Sequence, residues 1–436
     1  MAQRPEASQV LLVSGGISGT AREILKYGVR RVDYVELDPL ILALGKRYLP
    51  ENLADGRIRV INTDGRLFVK QTSEKYDVAI IDIPAPATAQ LNRFYTAEFL
   101  AEVKRALTKD GVVSFTLGQY ENYVSLELAR MVSSARLSLK QSFRNVVAIP
   151  GSRVVFLASD GPLFADIASR IEQRQIKTRL VNRHYLQAML TADRIADLAS
   201  AMAQPAAINK DFSPILYYYY LRHWMSQFNA RFGFLQSVLL LLLGFYLMRL
   251  RGSALVLFAS GFAASSLEVV LLLAFQVLCG SVYYQVGVIV TVFMAGLALG
   301  ASIANRLTDL SLGSLSFLAF LIAGYALLLP LLLPLLNQLG GTTASFFLVK
   351  SLVVLLTLAL ALLVGMQFPL ANGLEFDGTV AGAARLYTAD FVGAFLGALL
   401  ACTLLIPLIG VAGVCLLTAL LNAAGGVVGR GKTVKA

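Results

Sequence analysis

The stretch VLLVSGGISG, Val10 to Gly19, decides the fold of this chain. A short apolar run is followed by a glycine-rich turn, and a helical pattern then extends from Ala21 to Lys26, which predicts a strand–loop–helix unit. Glycines let the backbone turn tightly and approach a ligand, while the helix that follows offers free N–H groups. A glycine loop alone is a weak signal, so its meaning depends on the rest of the chain.

The same alternation of strand and helix continues through the first part of the chain. Helical patterns lie between further apolar, β-rich runs at Val32–Val35, Ile58–Ile61, Val78–Ile81 and Val112–Phe115. This order predicts right-handed crossovers and a parallel sheet covered by helices on both faces, the α/β Rossmann-like class. Ligands of such sheets bind at the carboxyl ends of the strands, near the point where the strand order reverses.

Acidic residues stand at the ends of three of the predicted strands. Glu36 and Asp38 follow the second strand, where an acid can accept hydrogen bonds from both ribose hydroxyls. Asp64, followed by Gly65, comes after the third strand and is placed to meet an exocyclic amine of a base, although it can equally cap a short helix. Asp82 ends the fourth strand and faces the cleft. With Gly15, Gly16 and Gly19 of the first loop, these residues predict a nucleoside site.

The composition indicates a second, membrane-embedded part. The 436 residues are 56% hydrophobic and 15% charged, with a mean hydropathy of +0.66, and most charges precede Arg231. Beyond Arg231, apolar segments long enough to cross a bilayer are separated by short connectors. We predict six or seven spans, at 233–249, 254–279, 284–304, 313–336, 343–369, 386–408 and 411–428.

Charged side chains inside or beside these segments carry the remaining signals. Glu268, Lys350 and Asp390 lie within apolar segments, where a charge is costly unless it pairs, faces the bundle interior or lines a polar path. The net charge of +11 includes basic residues beside the spans, which favours membrane anchoring over nucleic-acid binding. The three cysteines and two histidines show no metal-binding spacing, so no metal is expected.

The stretch from Val10 to about Ala158 resembles the spermidine synthase (polyamine aminopropyltransferase) family, a branch of the class I methyltransferase-like fold. The matching residues are 15–23, 35–39, 64–65 and 77–82. A membrane-linked subgroup is similar over residues 90–99 and in the apolar part, at Gly261 with Glu268, 296–300, 368–370 and 385–397.

This resemblance implies decarboxylated S-adenosylmethionine as co-substrate, with S-adenosylmethionine as the alternative. Glu36 would then hold the ribose and Asp64 the adenine edge. Asp82 would orient and deprotonate the attacking amine, with Tyr95 also on the substrate side.

Two departures from the family pattern fall on the amine side of the site. Ile17 and Ala85 stand where the family carries aspartates that recognise cationic groups. A buried ammonium left without a carboxylate is costly, so the nucleoside half of the site is intact and the amine half is altered. The small β-rich domain that precedes the fold in soluble members is also absent before Val10. We interpret these differences in one of two ways: either the chain is a fragment of a longer protein, or its substrate is not putrescine.

Three functions follow from these features. The first is a membrane-bound, aminopropyltransferase-like transferase of polyamine biosynthesis, the second an S-adenosylmethionine-dependent methyltransferase-type enzyme, and the third a transporter or sensor with a ligand-binding soluble domain. The expected partners are the lipid bilayer and a small amine or membrane-proximal acceptor. Association into a homo-oligomer is one further possibility, and no nucleic-acid partner is expected.

The predicted organisation is a spermidine-synthase-like nucleoside-binding domain over 1–210, an interfacial linker over 211–232 and a transmembrane domain over 233–430. The aromatic run within the linker can equally be a docking helix of the soluble domain. Basic residues follow the odd-numbered spans, which by the positive-inside rule would place the first domain outside the cell if there are seven spans. Adenosyl cofactors are scarce there, and the chain opens without a signal-peptide pattern. We therefore expect a multi-pass protein of the cell membrane with a cytoplasmic soluble domain.

Overall fold

The structure, a computed structural model, describes residues 1–120, 124–164, 166–178, 181–226, 232–280, 283–306, 311–339, 343–375 and 380–430. The chain divides into two compact units, Met1–Gln227 and Phe228–Ala436. Residues 211–226, which we predicted as part of an interfacial linker, pack within the first unit.

The first unit is built on one seven-stranded sheet with the order β3-β2-β1-β4-β5-β7-β6. The strands are β1 (Gln9–Val13), β2 (Arg31–Glu36), β3 (Ile58–Asn62), β4 (Tyr76–Ile81), β5 (Leu107–Gln119), β6 (Asn145–Ile149) and β7 (Arg153–Ser159). The five predicted strands are confirmed, and they run parallel. The expectation of a wholly parallel sheet is wrong, because β7 lies antiparallel to both β5 and β6. The connection from β6 to β7 is too short for a parallel crossover.

Ten helices accompany the sheet in the described part of the first unit. They are α1 (Thr20–Leu25), α2 (Pro39–Tyr48), α3 (Gly65–Gln71), α4 (Ala89–Asn92), α5 (Ala97–Ala106), α6 (Leu126–Lys140), α7 (Ile167–Gln173), α8 (Arg183–Met189), α9 (Ala192–Met202) and α10 (Ile215–Ser226). This mixed sheet with helices is the Rossmann-like, methyltransferase-type fold predicted from the sequence.

Both faces of the sheet are buried, as the alternation of side chains along β1 shows. Val10 and Leu12 belong to one buried cluster with Ile24 of α1. Leu11 and Val13 point to the opposite face and join a larger cluster formed with α5 and α6. Successive side chains of a strand point to opposite faces, so a continuous apolar run is required where helices cover both. The candidate site lies beyond these apolar runs, at the carboxyl ends of the strands.

The described part of the second unit contains seven helices: α11 (Phe232–Arg249), α12 (Ser253–Cys279), α13 (Tyr283–Ala304), α14 (Leu312–Leu339), α15 (Thr343–Glu375), α16 (Val380–Leu400) and α17 (Ile406–Arg430). Five described stretches are long and apolar enough to cross a membrane: Ser253–Cys279, Val286–Ala304, Leu312–Gln338, Phe346–Leu374 and Ala381–Val428. The fifth contains two predicted spans, which are separated where Gly410 leaves the helical conformation with φ of 69°. The predicted span 233–249 coincides with α11 and stays a prediction.

The three charged residues expected inside the apolar segments are all helical and partly buried. Glu268 lies on α12, Lys350 on α15 and Asp390 on α16. Within the described ranges none of them forms an ion pair. The Asp390 carboxylate lies against α12, since a Cβ added at Gly261 would be 2.7 Å from its Oδ1.

Candidate functional site

The glycine loop is fixed at both sides by the sheet. The Ser14 N–H donates to the Val35 carbonyl and the Asp82 N–H donates to the Val13 carbonyl, each over 2.9 Å. The loop therefore starts between the ends of β2 and β4, where the strand order reverses and sheets of this kind bind ligands. The other predicted glycines frame this position: Gly19 precedes α1 and Gly65 begins α3.

Asp82 and Gly15 are in direct contact across this reversal point. Gly15 has φ of 72°, and a Cβ on it would lie 2.0 Å from Oδ2 of Asp82. Only glycine fits there, both for its conformation and for the space. The Thr20 hydroxyl donates to the same Oδ2 over 2.8 Å. Oδ1 has no hydrogen-bond partner among the described residues, so one carboxylate oxygen remains available to a ligand.

Glu36 is buried and held by hydrogen bonds from both sides. Oε2 accepts from the Tyr34 hydroxyl over 2.8 Å and from the Ser14 hydroxyl over 3.2 Å, and Oε1 accepts from the Leu37 N–H over 3.0 Å. Burial, followed by the hydrogen bond to Glu36, raises the pKa of Tyr34, so this phenol stays a donor. The carboxylate is thereby oriented at the end of β2, where a ribose would be expected.

Gly16 makes the arrangement around Glu36 possible. A Cβ at Gly16 would lie 2.7 Å from the ring of Tyr34. The glycine therefore gives room to the aromatic ring that positions Glu36. Ser14, Thr20 and Tyr34 were not predicted as site residues. A hydroxyl residue at each end of the glycine loop was the available sequence signal for two of them.

Asp38 and Asp64 serve as helix caps. Asp38 accepts from the Leu40 N–H over 2.8 Å at the start of α2. Asp64 accepts from the N–H groups of Arg66 and Leu67 over 3.1 and 3.0 Å at the start of α3. Such caps satisfy N–H groups that the helix itself leaves unpaired.

Asp64 is also paired with Arg93, which the sequence argument had not given a role. Both side chains are buried, and the two nitrogens of the guanidinium reach both carboxylate oxygens. The predicted contact of Asp64 with an adenine amine would therefore compete with a buried ion pair.

The Tyr95 hydroxyl contacts the backbone of the loop that follows β4. It is buried, and its hydroxyl lies 2.9 Å from the carbonyl oxygens of both Ile83 and Pro84. Burial raises the pKa of Tyr95, so the hydroxyl remains protonated. The structure therefore places the hydroxyl of this predicted substrate-side residue against the backbone that follows Asp82.

The two residues that depart from the family pattern have different surroundings. Ile17 is partly buried and packs on α2, where a Cβ at Gly45 would lie 2.7 Å from its side chain. Ala85 instead lines a cavity of about 270 Å³ beside the end of β5. This cavity, called the β5 cavity below, is also lined by Gln119, Arg153, Tyr220, His223 and Trp224. None of these five was predicted as a site residue.

Residues 1–151 match the family model described as Spermine/spermidine synthase domain. The amino-terminal part of the chain is a spermine/spermidine synthase domain. Over 130 residues, or 29% of the chain, it is 35% identical to a polyamine aminopropyltransferase of Korarchaeum cryptofilum, covering 40% of that protein. A polyamine aminopropyltransferase 2 of Aquifex aeolicus is 28% identical over 224 residues, which cover 49% of this chain and 43% of the relative.

The crystal structure of spermidine synthase from Thermotoga maritima aligns with 45% of this chain and 70% of that one, at 22% identity and a TM-score of 0.38. The chain spans about half the length, or less, of the curated relatives it matches. The similarity to these relatives therefore covers only part of each protein.

Proposed function

We propose that this protein is a membrane-bound transferase that moves an aminopropyl group from decarboxylated S-adenosylmethionine to an amine acceptor. The observation that carries the proposal is the Asp82 carboxylate, which has one oxygen held by Thr20 and the other free at the reversal point of the sheet. The match to the spermine/spermidine synthase family over residues 1–151 supports it.

Asp82 has the properties that amine transfer demands. An amine is mostly protonated at neutral pH and is then no nucleophile, so a nearby carboxylate must bind the cation and accept its proton. The free nitrogen lone pair attacks the carbon beside the sulfonium, and the carbon–sulfur bond breaks with its electron pair passing to sulfur. The neutral thioether that leaves, methylthioadenosine, is a good leaving group without metal assistance.

The nucleoside end of the donor is assigned to the ends of β1 and β2. Glu36, oriented by Ser14 and Tyr34, would accept the ribose hydroxyls, while the glycine loop would allow close approach of the backbone. For Asp64 to bind the adenine amine, its carboxylate would have to exchange its pairing with Arg93 for the base.

The second unit is proposed to hold the protein in the cell membrane. Five described stretches of adequate length and hydropathy support a multi-pass arrangement. The transferase unit is proposed to face the cytoplasm, where adenosyl donors are made.

Turnover by the detergent-purified full chain tests the function. The chain is incubated with decarboxylated S-adenosylmethionine and a series of amines, and methylthioadenosine is measured. Asp82→Asn should lower the rate by roughly 10²-fold or more, since asparagine cannot accept the proton. Asp55→Asn is the matched control. Asp55 lies in the turn before β3, away from the carboxyl ends of the strands, so this variant should keep full activity. Formation of methylthioadenosine at equal rates by the wild type and Asp82→Asn would refute the role of Asp82. Tighter binding of S-adenosylmethionine than of its decarboxylated form would favour methyl transfer instead.

A further inference from the structure

Among the described residues that line the β5 cavity, Arg153 carries a fixed positive charge. Arg153, the first residue of β7, lines it with an exposed side chain that forms no hydrogen bond or ion pair with the described residues. The described lining residues include no aspartate or glutamate. An arginine guanidinium stays charged at any physiological pH and offers a planar set of donors suited to carboxylate or phosphate.

Three further lining residues come from one face of α10. Tyr220, His223 and Trp224 have the spacing that places side chains on the same side of a helix. Nδ1 of His223 lies 3.3 Å from the Ser125 hydroxyl, and its buried Nε2 has no hydrogen-bond partner within the described chain. Burial lowers the pKa of His223, so at neutral pH the ring is uncharged. Arg153 therefore supplies the charge and His223 an unpaired polar atom.

The cavity belongs to the acceptor side of the proposed active site. β4 and β5 are neighbours in the sheet, with Ile81 paired to Phe115, and Ala85 follows Asp82 by three residues. Asp82 and Arg153 also lie close enough to the Tyr95 hydroxyl for their charges to act on its pKa in opposite directions. A carboxylate and a guanidinium thus flank the same region.

We infer that the β5 cavity selects an amine acceptor that also carries an anionic group, in place of a second ammonium. The amine would approach Asp82, and the anionic group would bind Arg153 with the polar side chains of Gln119 and His223. The inference rests on the proposed function, because it names the acceptor class of that same site. The shared chemistry of the ligand is an amine joined to a carboxylate or a phosphate.

A diamine fits this cavity poorly for a simple reason. Its far ammonium would meet the Arg153 guanidinium, with no described carboxylate on the cavity wall to offset the repulsion. The aspartate that the family pattern carries at position 85 is alanine here. The missing carboxylate at Ala85 and the positive charge of Arg153 both disfavour binding of a second ammonium.

Fluorescence of Trp224 can report binding without turnover, because Trp224 is the only tryptophan of the chain and lines the cavity. The detergent-purified full chain is titrated with 4-aminobutanoate, with O-phosphoethanolamine and with 1,4-diaminobutane. The first and third differ mainly in one carboxylate against one ammonium. We expect at least one of the anionic amines to bind about tenfold more tightly than the diamine, as one charge-assisted contact provides. Whichever of the two anionic amines binds more tightly shows whether the cavity prefers a carboxylate or a phosphate.

Two variants examine the assignment to Arg153. Arg153→Gln should abolish the preference for the anionic amine, and Ala85→Asp should shift it toward the diamine. Arg30→Gln is the matched control: Arg30 is exposed just before β2, which β1 and β4 separate from β5, and should leave the preference unchanged. Because the Arg153 side chain is exposed and forms no hydrogen bond or ion pair with the described residues, its replacement is not expected to impair folding.

The outcomes separate this inference from the proposed function. Equal or tighter binding of the diamine, a preference that survives Arg153→Gln, or no change in Trp224 fluorescence with any of the three compounds would overturn the inference. Binding of an anionic amine that depends on Arg153, without methylthioadenosine formation from any acceptor, would support the cavity assignment while refuting aminopropyl transfer. Methylthioadenosine formation with 1,4-diaminobutane as the best acceptor would support aminopropyl transfer while refuting the cavity assignment.

Discussion

The Thr20 hydroxyl donates a hydrogen bond to Oδ2 of Asp82 across 2.8 Å, which joins the first turn of α1 to the end of β4. The bond leaves Oδ1 as the oxygen that can meet an amine. It also orients the carboxylate beside Gly15, whose lack of a side chain leaves room for it. A residue outside the set of predicted acids thus positions the proposed base.

Removing the Thr20 hydroxyl should slow turnover while leaving donor binding intact. Thr20→Val keeps the shape of the side chain but frees Asp82 to rotate, and we expect the rate to fall about tenfold, as loss of a hydrogen bond to a charged group allows. Thr20→Ser retains the donor and should stay near the wild-type rate. Rates are followed by methylthioadenosine formation and donor binding by calorimetry. Equal losses in both variants would contradict a role for the hydroxyl.

The Asp64–Arg93 pair should contribute to stability more than to nucleoside binding. Asp64→Asn would remove the carboxylate charge that is paired with the buried guanidinium of Arg93, and breaking such a pair costs about 3–5 kcal/mol. Denaturation of the first unit can be followed through Trp224. The double variant Asp64→Asn with Arg93→Met should be less destabilised than the sum of the two single variants. A loss of adenosine binding in Asp64→Asn without any change in stability would instead restore the predicted contact with the base.

Glu98 should make the first unit less stable as the pH rises. Burial, and then the neighbouring Asp211, raise the pKa of Glu98 from 4.5 to about 7. The folded state therefore holds a proton that the unfolded chain releases earlier, so the contribution of Glu98 to stability is most favourable below about pH 4.5 and declines as the pH rises to about 7.

Glu98→Gln should remove this dependence. Glutamine keeps an oxygen for the Asp211 N–H, which donates to Glu98 over 3.1 Å. We expect the variant to be more stable than the wild type by on the order of 2–3 kcal/mol above pH 7, with the difference disappearing below pH 4.5. The thermal midpoint, read from Trp224 fluorescence, is compared across this range. Glu51→Gln, on the exposed surface, is the control, and an identical pH profile for Glu98→Gln and the wild type would contradict the assignment.

The contact between α12 and α16 should be intolerant of added side-chain volume. A Cβ at Gly393 would lie 2.2 Å from the Phe258 carbonyl oxygen, so Gly393→Ala forces the helix backbones apart. We expect a loss of about 1–3 kcal/mol, visible as a lower thermal midpoint in detergent. Gly324→Ala on α14 is the matched control, because nothing lies within 4 Å of the added Cβ there. It should be neutral or slightly stabilising, since alanine is the better helix former.

The local pattern of apolar residues was sufficient to predict most of the strands and helices that surround the site in the first unit. The five parallel strands and the helices between them follow from runs of apolar residues and their spacing, as with Val78–Ile81 and Leu40–Tyr48. The antiparallel β6 and β7 were missed because strand direction depends on pairing with β5, which the sequence of each strand does not specify.

The separation of residues 386–428 into two spans had a local cause as well. Gly410 interrupts the helix there, as the position of the predicted gap at 409–410 indicated. By contrast, the placement of α10 on the first unit depends on contacts from far along the chain. The Tyr217 N–H donates to Asn92, which lies 125 residues earlier in the chain.

The sequence by itself determined the order of strands and helices, the glycine loop and the acids at the strand ends, because these depend on periodicity and on position along the chain. Only the tertiary structure decided which acids remain available to a ligand. Asp64 and Asp82 follow β3 and β4, two successive strands along the chain, yet Arg93 and a helix cap engage the first, while Thr20 leaves one oxygen of the second free. The physical reason is that these partners come from other segments of the chain, which only folding brings within hydrogen-bond distance.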